Sequence, residues 1–163
     1  MTVRAYIGIG SNLHDPVKQA LEAVEELEMI PDTILVQRSS LYSGNPMGPV
    51  DQPDYVNAVV SLDTLLSPED LHQALIGIED MQGRDRGAEK WGPRIIDLDL
   101  LMYGSNTIST ATLTVPHPGM HERDFVMIPL EEIAGNLKIP GKGFIYSLIN
   151  KCETHSLKKL ITG

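Results

Sequence analysis

Ile95-Ile96-Asp97-Leu98-Asp99-Leu100-Leu101 sets two acids two residues apart among aliphatic side chains. Side chains alternate across a strand, so Asp97 and Asp99 share one face while Ile96, Leu98 and Leu100 take the other. We read Ile95 to Tyr103 as a strand. Upstream, Ser67-Pro68-Glu69-Asp70 is a capping-box start for a helix that turns Leu71, Leu75 and Ile78 inward and stops near Gly83. Before it, Tyr55 to Leu62 alternates, and Thr33 to Tyr42 is a β-branched run, hence two more strands. Asp15-Pro16 opens a helix in which Val17, Ala20, Leu21, Val24 and Leu27 recur at helical spacing. Arg4 to Gly10 is the first strand, and we expect Gly8, Gly10, Ser11 and Asn12 to break it. The order is β-α-β-β-α-β, the split βαβ arrangement, which predicts a four-stranded antiparallel sheet with both helices on one face. Downstream we expect a loop from Thr107 to Arg123, a helix from Asp124 to Ala134, and an amphipathic helix from Tyr146 to Leu160. The class is α+β, and residues 1–163 make one domain, the length being typical of one.

Two segments resist regular structure. Ser43 to Pro53 holds three prolines and two glycines in eleven residues, and Arg84 to Pro93 is glycine-punctuated; both read as loops. The first is long for a simple connection, and long loops are more often functional. Asp and Glu number 22 against 13 Lys and Arg, a net charge of −9. A broad positive field, which nucleic acid or an anionic membrane requires, is thus missing. Yet Arg84, Arg86, Lys90 and Arg94 outnumber Asp85 and Glu89 within eleven residues. A small basic island in an acidic chain suits a compact anionic ligand. No apolar run approaches the ~18–20 residues of a membrane helix, and no targeting segment is visible. The single cysteine, Cys152, cannot form an internal disulfide, and we expect a reducing, cytoplasmic setting.

The two aspartates carry the sharpest chemical signal. Their Cα atoms lie roughly 6.5–7 Å apart on a strand, a spacing that brackets one hard cation or two cations ~3.5–4 Å apart. A solvated sheet face on which acids merely alternate gives the same letters, but the flanking isoleucines and leucines weigh against it, because ionised carboxylates among apolar neighbours are costly without a cation. With no His or Cys in the run, Mg²⁺ is the expected metal. The neighbouring arginines offer planar forks that match phosphate oxygens. Metal carboxylates beside an arginine-rich loop are the parts phosphoryl transfer needs. The chain has no Walker-type phosphate loop, and Gly8-Ile9-Gly10 is explained as well by a tight strand-to-helix turn. On the third strand Tyr55, Asn57 and Val59 share a face opposite Val56, Ala58 and Val60. An Asn amide complements a heterocycle edge, and a nearby aromatic can stack on the ring; a strand packing its own sheet is the alternative. His117 lies in the restricted Val-Pro-His-Pro loop.

Lys90 to Leu101 (KWGPRIIDLDLL), with Tyr6 to Leu13 (YIGIGSNL), Gly48 to Asn57 (GPVDQPDYVN), Glu79 to Arg86 (EDMQGRDR) and Leu113 to His117 (LTVPH), resembles the hydroxymethyldihydropterin pyrophosphokinases of folate synthesis. The resemblance covers about residues 3–135. It implies a ferredoxin-like fold with C-terminal helical additions, and transfer of the β,γ-pyrophosphoryl group of ATP to the hydroxymethyl oxygen of 6-hydroxymethyl-7,8-dihydropterin, releasing AMP. Asp97 and Asp99 match the ligands of two Mg²⁺ ions, and Arg84 and Arg94 match loop arginines that act on the phosphates. Glu79, Arg86, Arg94, Thr114, His117 and Arg123 match ATP-site positions. Asn57 matches the residue that hydrogen-bonds the pterin, Tyr55 and Phe125 the aromatics around it, and Gly44, Met47 and Trp91 further substrate contacts, Trp91 in a loop that closes over the site. The implied protein is a cytoplasmic monomer acting on ATP and the dihydropterin, with no nucleic-acid or membrane partner. Gly44-Asn45 departs from the Thr-Pro common in the family. Gly87 and Thr112 stand where some members offer Lys and Arg to ATP, which bears on the strength of ATP binding more than on the chemistry. The reading from another class is a non-catalytic ferredoxin-like ligand-binding module, which has no need of two carboxylates aimed at one metal.

Overall fold

The computed structural model describes residues 1–12, 15–44, 55–82, 96–152 and 157–160. Its elements are β1 (Val3–Ser11), α1 (Pro16–Glu28), β2 (Thr33–Arg38), β3 (Tyr42–Gly44), β4 (Tyr55–Thr64), α2 (Pro68–Met81) and β5 (Asp97–Tyr103). There follow a small hairpin, β6 (Ile108–Ser109) with β7 (Thr114–Val115), a 3₁₀ turn (Met120–Glu122), and α3 (Asp124–Ala134). A second small hairpin, β8 (Lys138–Ile139) with β9 (Gly143–Phe144), then α4 (Ile145–Ile149) and β10 (Lys158–Lys159) complete the order. The main sheet runs β10-β3-β4-β1-β5, with β2 also on β4, and its pairings are antiparallel. Leaving out β3 and β10, the expected β-α-β-β-α-β order is present in β1, α1, β2, β4, α2 and β5.

Both early helices begin as their capping residues dictate. Asp15 accepts from the Lys18 amide (3.5 Å) and Ser67 Oγ from the Asp70 amide (3.2 Å), each with proline just inside the helix. Their apolar stripes, Ala20, Ala23, Val24 and Leu27 on α1 and Leu71, Leu75 and Ile78 on α2, pack on Ala5, Ile7, Ile9, Ala58, Val60, Leu98 and Leu100 of the sheet. Truncating a fully buried leucine such as Leu27 or Leu71 to alanine costs about 2–5 kcal/mol in such a core. The opposite face carries a second core, in which Tyr6, Val59, Leu101 and Met102 meet Val126, Met127 and Leu130 of α3 and Ile145 of α4. The sheet is therefore sandwiched, with α1 and α2 on one side as expected and the later helices on the other. Gly135, at a φ of +64° that favours glycine, ends α3, its amide donating to Glu131 O (2.9 Å).

Several expectations need correction. The first strand is not broken at Gly8 and Gly10 but runs on to Ser11, paired along its length with β4. The strand expected over Thr33 to Tyr42 is two, because Ser39 diverts backbone partners. Its Oγ donates to Ser40 O (2.8 Å) and accepts from the Val59 amide (2.9 Å). Ser43 and Gly44, expected in a loop, extend β3. Thr107 to Arg123 is not a bare loop, since Ile108 pairs with Val115 and Ser109 with Thr114 across a turn closed by Thr110. The helix expected from Tyr146 to Leu160 stops at Ile149. Its apolar stripe ends with Cys152, and the free edge of β3 takes Lys158–Lys159 as a strand, with the Leu160 amide donating to Leu41 O (2.8 Å).

Candidate active site

Antiparallel register sets distant residues side by side, because directly opposed residues share a face. Tyr42 stands opposite Asn57, Asn57 opposite Gly10, and Gly10 opposite Asp97. The next row on this face is Val59, Gly8 and Asp99, and on the other side Gly44 stands opposite Tyr55. With strands ~4.8 Å apart, Asn57 and Asp97 lie two spacings, roughly 9.5 Å, from one another at the backbone.

The two acids fall as their spacing predicts. Asp97 is half-buried and Asp99 exposed, while Ile96, Leu98 and Leu100 are buried, the two leucines in the core beneath. Between the acids and Asn57 the floor is glycine. A Cβ on Gly10 would sit 3.2 Å from Asn57 Oδ1 and 3.7 Å from Tyr55 Cδ1, so both side chains reach across it. A Cβ on Gly8 would meet the Leu101 side chain at 3.4 Å. Reasoning along the sequence missed this role for Gly8 and Gly10. Its signal was two glycines on one face of a strand whose other face, Ile7 and Ile9, is fully apolar.

A bulge in β5 shapes the far end of the floor. Ile7 pairs with Leu100 but Tyr6 with Met102, so Leu101 has no cross-strand partner. Leu101 O accepts instead from the His117 amide (2.9 Å), which ties the turn after β7 to this strand. His117 Nδ1 accepts from the Gly119 amide (3.2 Å), so the neutral ring carries its proton on Nε2. Burial pushes His117 below the usual imidazole range; the positive charge of Arg123 pushes the same way and Asp99 opposes it. Arg123 packs on Gly119, where a Cβ would lie 3.3 Å from Nε, and stands 5.8 Å from the centre of the Phe125 ring. Phe125, half-buried at the start of α3, borders the second core. His117, Arg123 and Asp99 are thus one electrostatic group.

Glu79 and Thr114, both matched above to ATP-site positions, sit on other elements. Glu79 points inward, 4% exposed, and its Oε2 accepts from the Leu98 amide (2.8 Å) between the two aspartates. Thr114 is exposed on the small hairpin, opposite Ser109 and off the main sheet. Thr112 is exposed in the turn of that hairpin. Met47, Arg84, Arg86, Gly87, Trp91 and Arg94 lie outside the described residues. Among the described residues no three His, Cys, Asp or Glu side chains converge. Two carboxylates on one strand face fit a hard cation that takes its remaining oxygens from substrate phosphates and water, as Mg²⁺ does.

The model of the 7,8-dihydro-6-hydroxymethylpterin-pyrophosphokinase (HPPK) family matches residues 6–135. The chain belongs to this family. Relatives named 2-amino-4-hydroxy-6-hydroxymethyldihydropteridine pyrophosphokinase are similar almost end to end. The Haemophilus influenzae one is 46% identical over 158 residues, covering 97% of this chain and 98% of the relative. The Pseudomonas aeruginosa one is 42% identical over 160 residues, covering 98% of each. Among solved structures, wild-type Plasmodium falciparum HPPK-DHPS with pteroate superposes with a TM-score of 0.73 at 15% identity, over 93% of this chain and 42% of that chain. This HPPK-family chain thus spans less than half of the Plasmodium chain. At that identity the likeness bears on fold, and it agrees with the ferredoxin-like order traced above.

Proposed function

We propose that this chain transfers the terminal diphosphoryl group of ATP to the hydroxymethyl oxygen of 6-hydroxymethyl-7,8-dihydropterin. The hydroxyl oxygen attacks the β-phosphorus, the bond from that phosphorus to the α-β bridging oxygen breaks, AMP leaves with that oxygen, and the hydroxyl proton passes to solvent. The observation that carries the reading is the open row Asn57-Gly10-Asp97. An amide able to read a heterocycle edge faces a pair of oxygen ligands across a floor without side chains. In this reading Asn57 hydrogen-bonds the pterin, Tyr55 and Phe125 flank its ring, and Gly44, Met47 and Trp91 complete its surroundings.

Asp97 and Asp99 would hold two Mg²⁺ ions, which would supply neutralising charge to the phosphate oxygens. His117 donates from Nε2 to a phosphate oxygen, and its burial keeps the ring neutral so that this proton stays in place. Arg123 supplies fixed positive charge beside it. Thr114, Arg86 and Arg94 bind ATP, and Arg84 and Arg94 act on the transferring group. Glu79 contributes from below by holding the Leu98 amide and with it the strand that carries both acids. We further propose that residues 1–163 work as one pyrophosphokinase domain, as a monomer in the cytoplasm. Among the described residues no helix is long and apolar enough to cross a membrane.

The non-catalytic module is set aside, since named pyrophosphokinases align with nearly the whole chain. Incubation with Mg-ATP and the dihydropterin should yield AMP and the diphosphorylated pterin in equal amounts. ATP turnover without the pterin product, or no AMP at all, would refute the assignment.

A further inference from the structure

Glu132 lies on α3, seven residues beyond Phe125, and its carboxylate gathers four contacts from Ser40 and Tyr42. The Ser40 amide donates to Oε1 (3.0 Å) and Oε2 (3.1 Å), Ser40 Oγ donates to Oε2 (2.9 Å), and Tyr42 Oη donates to Oε1 (2.6 Å). Tyr42 is buried and stands directly opposite Asn57. Two residues further along β3, Gly44 stands opposite Tyr55. β3 has only three residues, and such a strand is weakly fixed by its own ladder. Among the described residues its outer side meets the two-residue β10, whose Lys159 stands opposite Tyr42 and adds positive charge near Glu132. The Glu132 carboxylate therefore adds side-chain anchors on Ser40 and Tyr42 to the short ladder between β3 and β4.

We propose that Glu132 is a positioning residue for the pterin end of the site, acting through Ser40 and Tyr42 to set where β3 lies beside Asn57 and Tyr55. The inference rests on the assignment of Asn57 and Tyr55 to the pterin. It follows that Glu132 governs pterin affinity and leaves the Asp97/Asp99 end of the row, three strands away from β3, unaffected. A residue important only for folding would instead lower the active fraction, a fall in apparent kcat with both KM values unchanged.

The test is Glu132→Gln, which keeps size but replaces one of the two acceptor oxygens with an NH₂ that can only donate, together with Tyr42→Phe. Steady-state AMP release gives KM for each substrate and kcat. Fluorescence titration with the dihydropterin, in the presence of a non-hydrolysable Mg-ATP analogue, gives affinity without turnover. For Glu132→Gln we expect pterin KM and Kd to rise roughly tenfold, the partial loss of a hydrogen bond to a charged group, with ATP KM and kcat within twofold of wild type. Tyr42→Phe should weaken pterin less, and the double variant should add little to Glu132→Gln alone. Unchanged pterin affinity in Glu132→Gln, or equal changes for ATP and pterin, overturns the inference while an active wild type leaves the assigned function standing. A wild type that makes no AMP overturns the function itself. If Glu132→Gln folds poorly, Glu132→Asp and Tyr42→Phe must still show the pterin-selective loss, and its absence there is equally decisive.

Discussion

Replacing Gly10 with alanine should damage pterin recognition while leaving the fold intact. Gly10 has no positive φ, so alanine meets no backbone strain there. In a strand interior the change is worth about 0.5–1 kcal/mol of stability through reduced chain entropy. The methyl group, however, would lie 3.2 Å from Asn57 Oδ1, a few tenths of an ångström inside ordinary contact, and 3.7 Å from the Tyr55 ring. Asn57 is 6% exposed and has little room to retreat, so its carbonyl must turn out of line. A misaligned hydrogen bond in a closed site costs about 1–3 kcal/mol, hence about fivefold to 150-fold in pterin KM. Gly8→Ala is the internal control, since its methyl meets only the flexible end of Leu101 at 3.4 Å, an ordinary contact. AMP release at varied pterin and ATP, with thermal melts of both variants, reads the comparison. A Gly10→Ala enzyme with wild-type pterin KM, or a Gly8→Ala enzyme equally impaired, would refute the argument that the glycine floor is cleared for the pterin.

Asp97→Ala should retain its melting temperature within a few degrees and lose about a thousandfold in turnover, the several kcal/mol a metal ligand contributes to the transition state; AMP release and circular dichroism check both halves. Chelating divalent metal should abolish AMP formation and leave the melting temperature of the ligand-free protein unchanged, which calorimetry reads. Glu79→Ala strands the buried Leu98 amide and should cost about 1–3 kcal/mol in urea unfolding. For Glu132, burial pushes the carboxyl up, but hydrogen bonds from Tyr42 and Ser40 and the charge of Lys159 outweigh it and hold it below the usual carboxylate range. A depressed carboxyl stabilises the fold above its unfolded pKa, and that stabilisation fades as pH falls through the folded one. The stability difference between wild type and Glu132→Gln should therefore be full near pH 7 and vanish under acid, as urea midpoints against pH would record.

The residues with local signals were the readable ones. Asp97 and Asp99 could be placed on one face because period two is written in seven consecutive letters, and α1 and α2 because Asp15-Pro16 and Ser67-Pro68 announce their starts. Where a partner decides, local pattern failed. The run Thr33 to Tyr42 has strand composition throughout, and only the proximity of the Val59 amide tells that Ser39 will divert the ladder. The tail after Ile149 reads as helix until the bare edge of β3, far earlier in the chain, is seen to take a strand.

Register is the deeper reason why the site was half legible. Each strand advertises which residues share a face, but not which residue of the next strand lies opposite. Tyr42, Asn57, Gly10 and Asp97 become one row only through three separate pairings, and a slip of one residue in any of them would turn that strand's members to the other side of the sheet. That slip is opposed from both faces. Moving β1 by one residue would turn Ile7 and Ile9 out of the core beneath α1 and α2 and drive Gly8 and Gly10 into it, a loss of about 1.5–3 kcal/mol for each isoleucine. The bulge at Leu101 and the clamp of Glu132 on β3 then adjust the two ends of the row. The apolar residues facing away from the site thus hold its glycines in place, which is why glycines that resemble a turn in the sequence form a floor in the fold.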